Sequence, residues 1–156
     1  MIIEHTENIV EYPGVVIAHG VNARGKMGAG VARIISEKYP TVLEPYQKAC
    51  ADGMLKPGGI QVIQVSPERW IANLCTQDDY GKEPSRRYAS IQAVIACLEK
   101  LTAYLKERNI SAFAMPRVGC NLGGLDWETE VRPVVERFAK DMEIHIYDLP
   151  GEEYRR

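Results

Sequence analysis

Strand-length apolar runs alternate with helix-period segments from one end of the chain to the other, and few architectures accept that order. Runs at 2–4, 15–19, 60–65, 70–75, 111–115 and 143–148 are β-branched or apolar and bounded by Gly, Pro or polar residues, so they predict strands. Ile91, Val94, Ile95, Leu98, Leu101 and Leu105 recur every three or four residues and form the apolar stripe of a helix predicted over 86–108. Further helices are expected at 28–38, 41–52 and 127–140. The run VVIA shows no polar alternation, which suits a strand covered on both faces. Strand–helix alternation of this kind packs a mostly parallel or mixed sheet between helices, so the fold class is α/β.

Length limits the organisation, because 156 residues with 46% apolar and 26% charged content make one domain with a real core and leave no room for a second. No internal repeat, low-complexity tract or linker interrupts it. The N-terminal MIIEHTENIV carries no basic region ahead of a hydrophobic stretch, so a soluble, cytoplasmic chain without membrane attachment is expected. Cys50, Cys75, Cys97 and Cys120 are widely spaced with no C-x-x-C pair, a usage that suits reduced thiols rather than a disulfide frame or a metal site. A formal charge of -2 supplies no general attraction for a long nucleic-acid backbone.

Ligands of open α/β sheets bind beyond the carboxyl ends of the strands, and two loops there are rich in glycine. The first, HGVNARGKMGAGVA at 19–32, places Gly20, Gly25, Gly28 and Gly30 between the strand VVIA and a helix. Glycine permits positive φ and close backbone approach, while the N–H groups opening the helix point at an anion and its dipole favours one. No Lys-Ser or Lys-Thr follows, so the pattern is not of the Walker type; nor is it the dinucleotide G-x-G-x-x-G with an acidic residue on the next strand. A tight strand-to-helix turn would use the same glycines. The second, MPRVGCNLGGLDW at 115–127, repeats the logic with Gly119, Gly123 and Gly124. Two such loops on neighbouring strands could close on a diphosphate from both sides.

Together AHGVNARGKMGAG, MPRVGCNLGGLDW and the intervening NLCT strand ahead of a long helix resemble the macro domains, especially the branch of terminal ADP-ribose protein glycohydrolases and DNA ADP-ribose glycohydrolases. The resemblance spans nearly the whole chain and implies a three-layer α/β/α fold over 1–150, with a polar tail at 151–156. It also implies ADP-ribose, or a derivative such as ADP-ribose 1″-phosphate, lying between the two loops. Neither a separate cofactor nor an obligate protein partner is implied, although ADP-ribosylated protein or nucleic acid could be the substrate. Carried over position by position, Asn22 lies beside the distal ribose. Gly28, Ala29, Gly30 and Val31 line the first diphosphate loop, and Val118, Gly119, Cys120, Asn121, Leu122 and Gly123 form the second. Asn8 matches the position from which many members hold the adenine amino group with an aspartate; Thr76, which closes NLCT, and Tyr80, in the polar segment after it, are expected to contact the ligand as well.

The sequence departs from the resembled glycohydrolases at two places: Gln77 stands where they carry a lysine, and Gly123 where the human-type enzyme carries an aspartate. Hydrolysis of ADP-ribose 1″-phosphate, found among small stand-alone macro domains, needs neither group; removal of ADP-ribose from protein or nucleic acid and simple ADP-ribose reading are the alternatives. For the phosphatase, Asn22 would orient the terminal group and His19 would move the proton, unless His19 is only a packed residue at a strand end. Asp126 could position water or a ribose hydroxyl, or it could cap the helix that follows. The polar segment TQDDYGKEPSRRY at 76–88 offers Asp78, Asp79 and Arg87 as contributors or as solvated surface, with Tyr80 set to cover the distal ribose. Tyr147 could stack on adenine or belong to the core.

Overall fold

The computed structural model describes residues 1–148, so the expected polar tail at 151–156 lies outside the described residues. Six strands form one mixed sheet: β1 (Ile2–His5), β2 (Val16–Asn22), β3 (Ile60–Ser66), β4 (Arg69–Gln77), β5 (Ala112–Met115) and β6 (Glu143–Tyr147), in the order β1-β6-β5-β2-β4-β3. Only β3 runs antiparallel, as the hairpin partner of β4; the other pairings are parallel. Helices α1 (Gly30–Lys38), α2 (Leu43–Ala51), α3 (Ile91–Glu107) and α4 (Arg132–Phe138) complete the layers.

The central strand explains why the unpatterned run VVIA is stable. Val16 and Ala18 enter one core with Leu98, Leu101 and Phe113, while Ile17 and Val21 enter the other with Ile35, Tyr46 and Ile71. Successive side chains of a strand point to opposite faces, so a strand sandwiched between helical layers places apolar side chains on both, as Val16, Ile17 and Ala18 do.

Element ends differ from the sequence expectation where side chains or partners intervene. The strand expected to stop at 19 continues to Asn22, because Gly20, Val21 and Asn22 pair with Leu74, Cys75 and Gln77 of β4 across a bulge. The helix expected from 86 starts at Ile91, capped by Ser90, whose hydroxyl accepts from Ala93 N at 3.3 Å. Residues before it are claimed elsewhere: Tyr88 N and Ala89 N both donate to Gly123 O at 2.9 Å. The segment 127–140 divides into a π turn at Trp127–Val131 and the shorter α4, with Pro133 in the first turn of α4, where a missing N–H costs nothing.

Candidate functional site

The sheet order brings the two glycine-rich loops together. Strands β2 and β5 are neighbours, joined at Ile17↔Ala114, and both run with their carboxyl ends toward the same edge as β4. Beyond those ends lies a cleft of about 370 Å³. Its walls include Asn22, Lys26 and 28–32 from the end of β2 and the first loop, Thr76 and Gln77 at the end of β4, 80–82 after it, and 116–123 from the second loop. Of the residues singled out from the sequence, Asn22, Gly28, Ala29, Gly30, Val31, Thr76, Tyr80, Val118, Gly119, Cys120, Asn121, Leu122 and Gly123 all border it.

The first loop is held open from within by Asn22. Its Oδ1 accepts from Arg24 N at 2.9 Å and Lys26 N at 3.3 Å, and its Nδ2 donates to Lys26 O at 2.8 Å. Tyr46 Oη stands 2.6 Å from Asn22 O and 2.9 Å from Oδ1, and burial pushes that phenol up, so it stays a neutral donor. One amide hydrogen of Asn22 therefore remains for a ligand. Helix α1 opens at Gly30 behind Ala29, which offers no side-chain cap, so its first N–H groups face the cleft unclaimed by the helix.

The second loop is shaped by left-handed backbone. Gly119, Asn121 and Gly124 have φ of 76°, 36° and 87°. Val118 and Cys120 are themselves buried, which leaves the loop backbone to meet the cleft. Burial pushes the Cys120 thiol up to about 12, so it is neutral near pH 7.

Four residues proposed from the sequence, His19, Asp126, Asn8 and Tyr147, are placed elsewhere. His19 is fully buried in β2 and does not border the cleft; its Nε2 lies 2.6 Å from Asn73 Oδ1. Asn73 Nδ2 donates onward to Gln61 Oε1 at 3.1 Å, so Asn73 Oδ1 only accepts and His19 carries its proton on Nε2. His19 Nδ1 is buried without a partner, and burial lowers the His19 pKa to about 4, against a smaller upward contribution from the Asn73 bond. The catalytic role expected of His19 is thus corrected to a packing role, because its ring has no route to a ligand.

Asp126 caps the turn at Trp127. Its Oδ2 accepts from Thr129 N at 2.8 Å and Thr129 Oγ1 at 2.6 Å, while Glu130 Oε1 accepts from Asp126 N at 2.9 Å. This is a reciprocal cap, and the Thr129 bonds hold the Asp126 carboxyl below its usual range. Asp126 does not border the cleft, which corrects the reading of it as a water-positioning group. Asp126→Ala is expected to lower Tm by about 2–4 °C while leaving ligand affinity within about twofold, measured by thermal melts and calorimetry. Asn8 caps the short turn Ile9–Glu11, accepting from Val10 N at 3.1 Å, and is not part of the cleft wall either. Tyr147 is buried and stacks on His5 at 4.3 Å, so it belongs to the core.

The polar segment after β4 forms a lip of paired charges. Arg24 meets Asp78 at 2.9 Å, Arg86 meets Asp79 at 3.6 Å and Arg87 meets Glu130 at 2.5 Å, while Tyr80 is 48% exposed at the cleft edge. Gln77, which stands where the resembled glycohydrolases carry a lysine, borders the cleft together with Lys82, and so do Lys26 and Arg117, which no sequence pattern marked as binding residues. Among the described residues no group of three or more His, Cys, Asp or Glu could hold a metal, and no helix is long and apolar enough to cross a membrane.

Comparison with known proteins agrees with this geometry. A DNA ADP-ribosyl glycohydrolase of Mycobacterium tuberculosis is 31% identical over 140 residues, covering 86% of this chain and 38% of that protein, so the chain spans well under half of its relative. The human ADP-ribose glycohydrolase OARD1 is 28% identical over 134 residues, covering 85% of this chain and 81% of that protein. The solved macrodomain of Mycobacterium tuberculosis DarG superposes with a TM-score of 0.83 at 28% identity, over 97% of this chain and 99% of that one. The signature of the Macro domain matches residues 18–134, and the chain belongs to the macro domain family.

Proposed function

We propose that the cleft binds ADP-ribose, with its diphosphate between the two glycine-rich loops, and that the reaction it suits best is removal of the phosphate from ADP-ribose 1″-phosphate. The observation carrying this reading is the composition of the wall: among the described residues that line the cleft there is no Asp, Glu or His, while Lys26, Lys82 and Arg117 are present. A wall without carboxylates sets no negative charge against a diphosphate or a terminal phosphate, and backbone N–H groups supply fixed donors for their oxygens. In the reaction, water attacks phosphorus, the bond from phosphorus to the ribose oxygen breaks, and that oxygen takes up a proton to give ADP-ribose and inorganic phosphate. The barrier falls through positioning and electrostatic stabilisation rather than a covalent nucleophile.

Release of ADP-ribose from a macromolecule is the second reading, favoured by the glycohydrolase relatives. Lys26 and Lys82 both border the cleft and are the amines available to it, although Gln77 and not a lysine ends β4. The deciding experiment gives purified protein ADP-ribose 1″-phosphate in one reaction and ADP-ribosylated protein and DNA in others. Phosphate release alone is the expected result. Release of ADP-ribose from either macromolecule would replace the phosphatase reading by the glycohydrolase one, and ADP-ribose binding without turnover would make the domain a reader.

A further inference from the structure

We propose that Lys26 and Lys82 form a second anion site, apart from the diphosphate loops, that takes the terminal phosphate of ADP-ribose 1″-phosphate and so separates this ligand from ADP-ribose. The inference rests on the ADP-ribose reading above and assigns residues to the terminal phosphate.

The cations around the cleft differ in what they face. Each of the arginines there has a carboxylate: Arg24 meets Asp78, Arg86 meets Asp79, Arg87 meets Glu130, and Arg117 lies between Glu4 and Asp148. Among the described residues neither lysine forms an ion pair or a side-chain hydrogen bond, although both border the cleft. Glu83, next to Lys82 in the chain, is not part of the wall, and its Oε1 accepts from Ser85 Oγ at 3.1 Å. The unpaired positive charge of the wall therefore resides on two ammonium groups, and an anion of the ligand is the partner that suits them.

Both lysines rise from a fixed backbone. Lys26 N donates to Asn22 Oδ1 at 3.3 Å, and Lys26 O accepts from Asn22 Nδ2 at 2.8 Å. Across the cleft, Tyr88 holds the chain on both flanks of Lys82. Glu83 N donates to Tyr88 Oη at 3.2 Å, and Gly81 packs so closely on the phenol that a Cβ there would collide with it. Anchored main chains lower the ordering cost of closing two long side chains on one anion.

The two lysines also lie on one side of the diphosphate loops. Strand order places β4 on one side of β2 and β5 on the other. The turn that leads to Lys26 is tied to the end of β4, where Ala23 N donates to Gln77 O and Asp78 O at 3.1 Å, and Lys82 follows β4 itself. A diphosphate between the loops after β2 and β5 has the lysines flanking it toward β4, so an anion that meets both of them is a second one. ADP-ribose has no anionic group besides its diphosphate. ADP-ribose 1″-phosphate adds a monoester carrying about −1.5 to −2 charges near pH 7.

Calorimetric titration of the wild type and two double variants tests this with three ligands: ADP-ribose, its non-hydrolysable 1″-methylenephosphonate, and ADP-ribose 2′-phosphate. The wild type is expected to bind the phosphonate at least about tenfold more tightly than ADP-ribose, with the preference shrinking as salt rises. Lys26→Met/Lys82→Met should lose that preference while its affinity for ADP-ribose changes by less than about threefold, and Lys26→Arg/Lys82→Arg should keep it. No preference in the wild type, a preference that survives in the methionine variant, or equal loss of ADP-ribose and phosphonate there overturns the inference and leaves ADP-ribose binding standing. An equal, lysine-dependent gain for the 2′-phosphate overturns it too, because that phosphate is at the other end of the ligand. A wild type that holds the phosphonate through the lysines but releases no phosphate from ADP-ribose 1″-phosphate supports the inference and removes the proposed reaction. A wild type that binds none of the three overturns both.

Discussion

Gly28→Glu should abolish measurable ADP-ribose binding while leaving the fold intact. Gly28 borders the cleft, a Cβ built on it meets nothing within 4 Å, and its backbone is not in the left-handed region. The substitution therefore introduces a carboxylate into the cleft, where the diphosphate is proposed to lie, without strain. A unit charge about 4 Å from a phosphate costs several kcal/mol at the dielectric of a protein surface, so the affinity loss should be at least about a hundredfold. Tm should move by no more than about 2 °C. Titration and a thermal melt on the same sample check both halves, and retained affinity would remove the diphosphate from this loop.

Gly119→Glu, which also puts charge into the proposed phosphate site, is a less clean probe. Gly119 has φ of 76°, and a Cβ there would lie 2.8 Å from Leu125 Cδ1 and 3.3 Å from the Ala89 methyl. It should abolish binding as well, but with an added stability loss on the order of 1–3 kcal/mol from the left-handed backbone. Comparing the two variants separates charge at the site from damage to the loop.

Acid should destabilise the domain through His19. Burial holds the folded-state pKa of this residue near 4, below its ordinary value of 6.5, so the unfolded chain binds the extra proton throughout that interval. Stability from this residue is complete above pH 6.5 and falls as the pH drops toward 4, by on the order of 3 kcal/mol in all. The structural cause is Nδ1, buried without a partner, which has nowhere to place a second proton. Urea unfolding at pH 7 and pH 5 should show about 2 kcal/mol more acid loss in the wild type than in His19→Gln. Parallel losses in the two proteins would show that His19 does not control the acid response.

His19 and Asp126 show where sequence reading reached its limit. Both are chemically competent residues beside glycine-rich loops, and from the sequence each could be catalytic or structural. What decides is direction: the period of β2 turns His19 into the sheet toward Asn73, and the turn at Trp127 draws the Asp126 carboxylate onto Thr129. Gln77 went the other way. In the sequence it marked only a missing lysine; in the fold it borders the cleft, with its amide turned by a bond to Asp79 O.

The sequence by itself determined the α/β class, the placement of every strand to within a few residues, and the identity of the two glycine-rich loops as the ends of the central strands. Those features follow from local physics: apolar periodicity, β-branched runs, and the backbone freedom of glycine. Tertiary structure alone decided that β2 and β5 are neighbours with β4 beside them, so that loops far apart in the chain share one cleft. It also decided which side chains face that cleft, because burial and hydrogen-bond partners come from residues distant in sequence, and these determine whether a polar group is left free for a ligand.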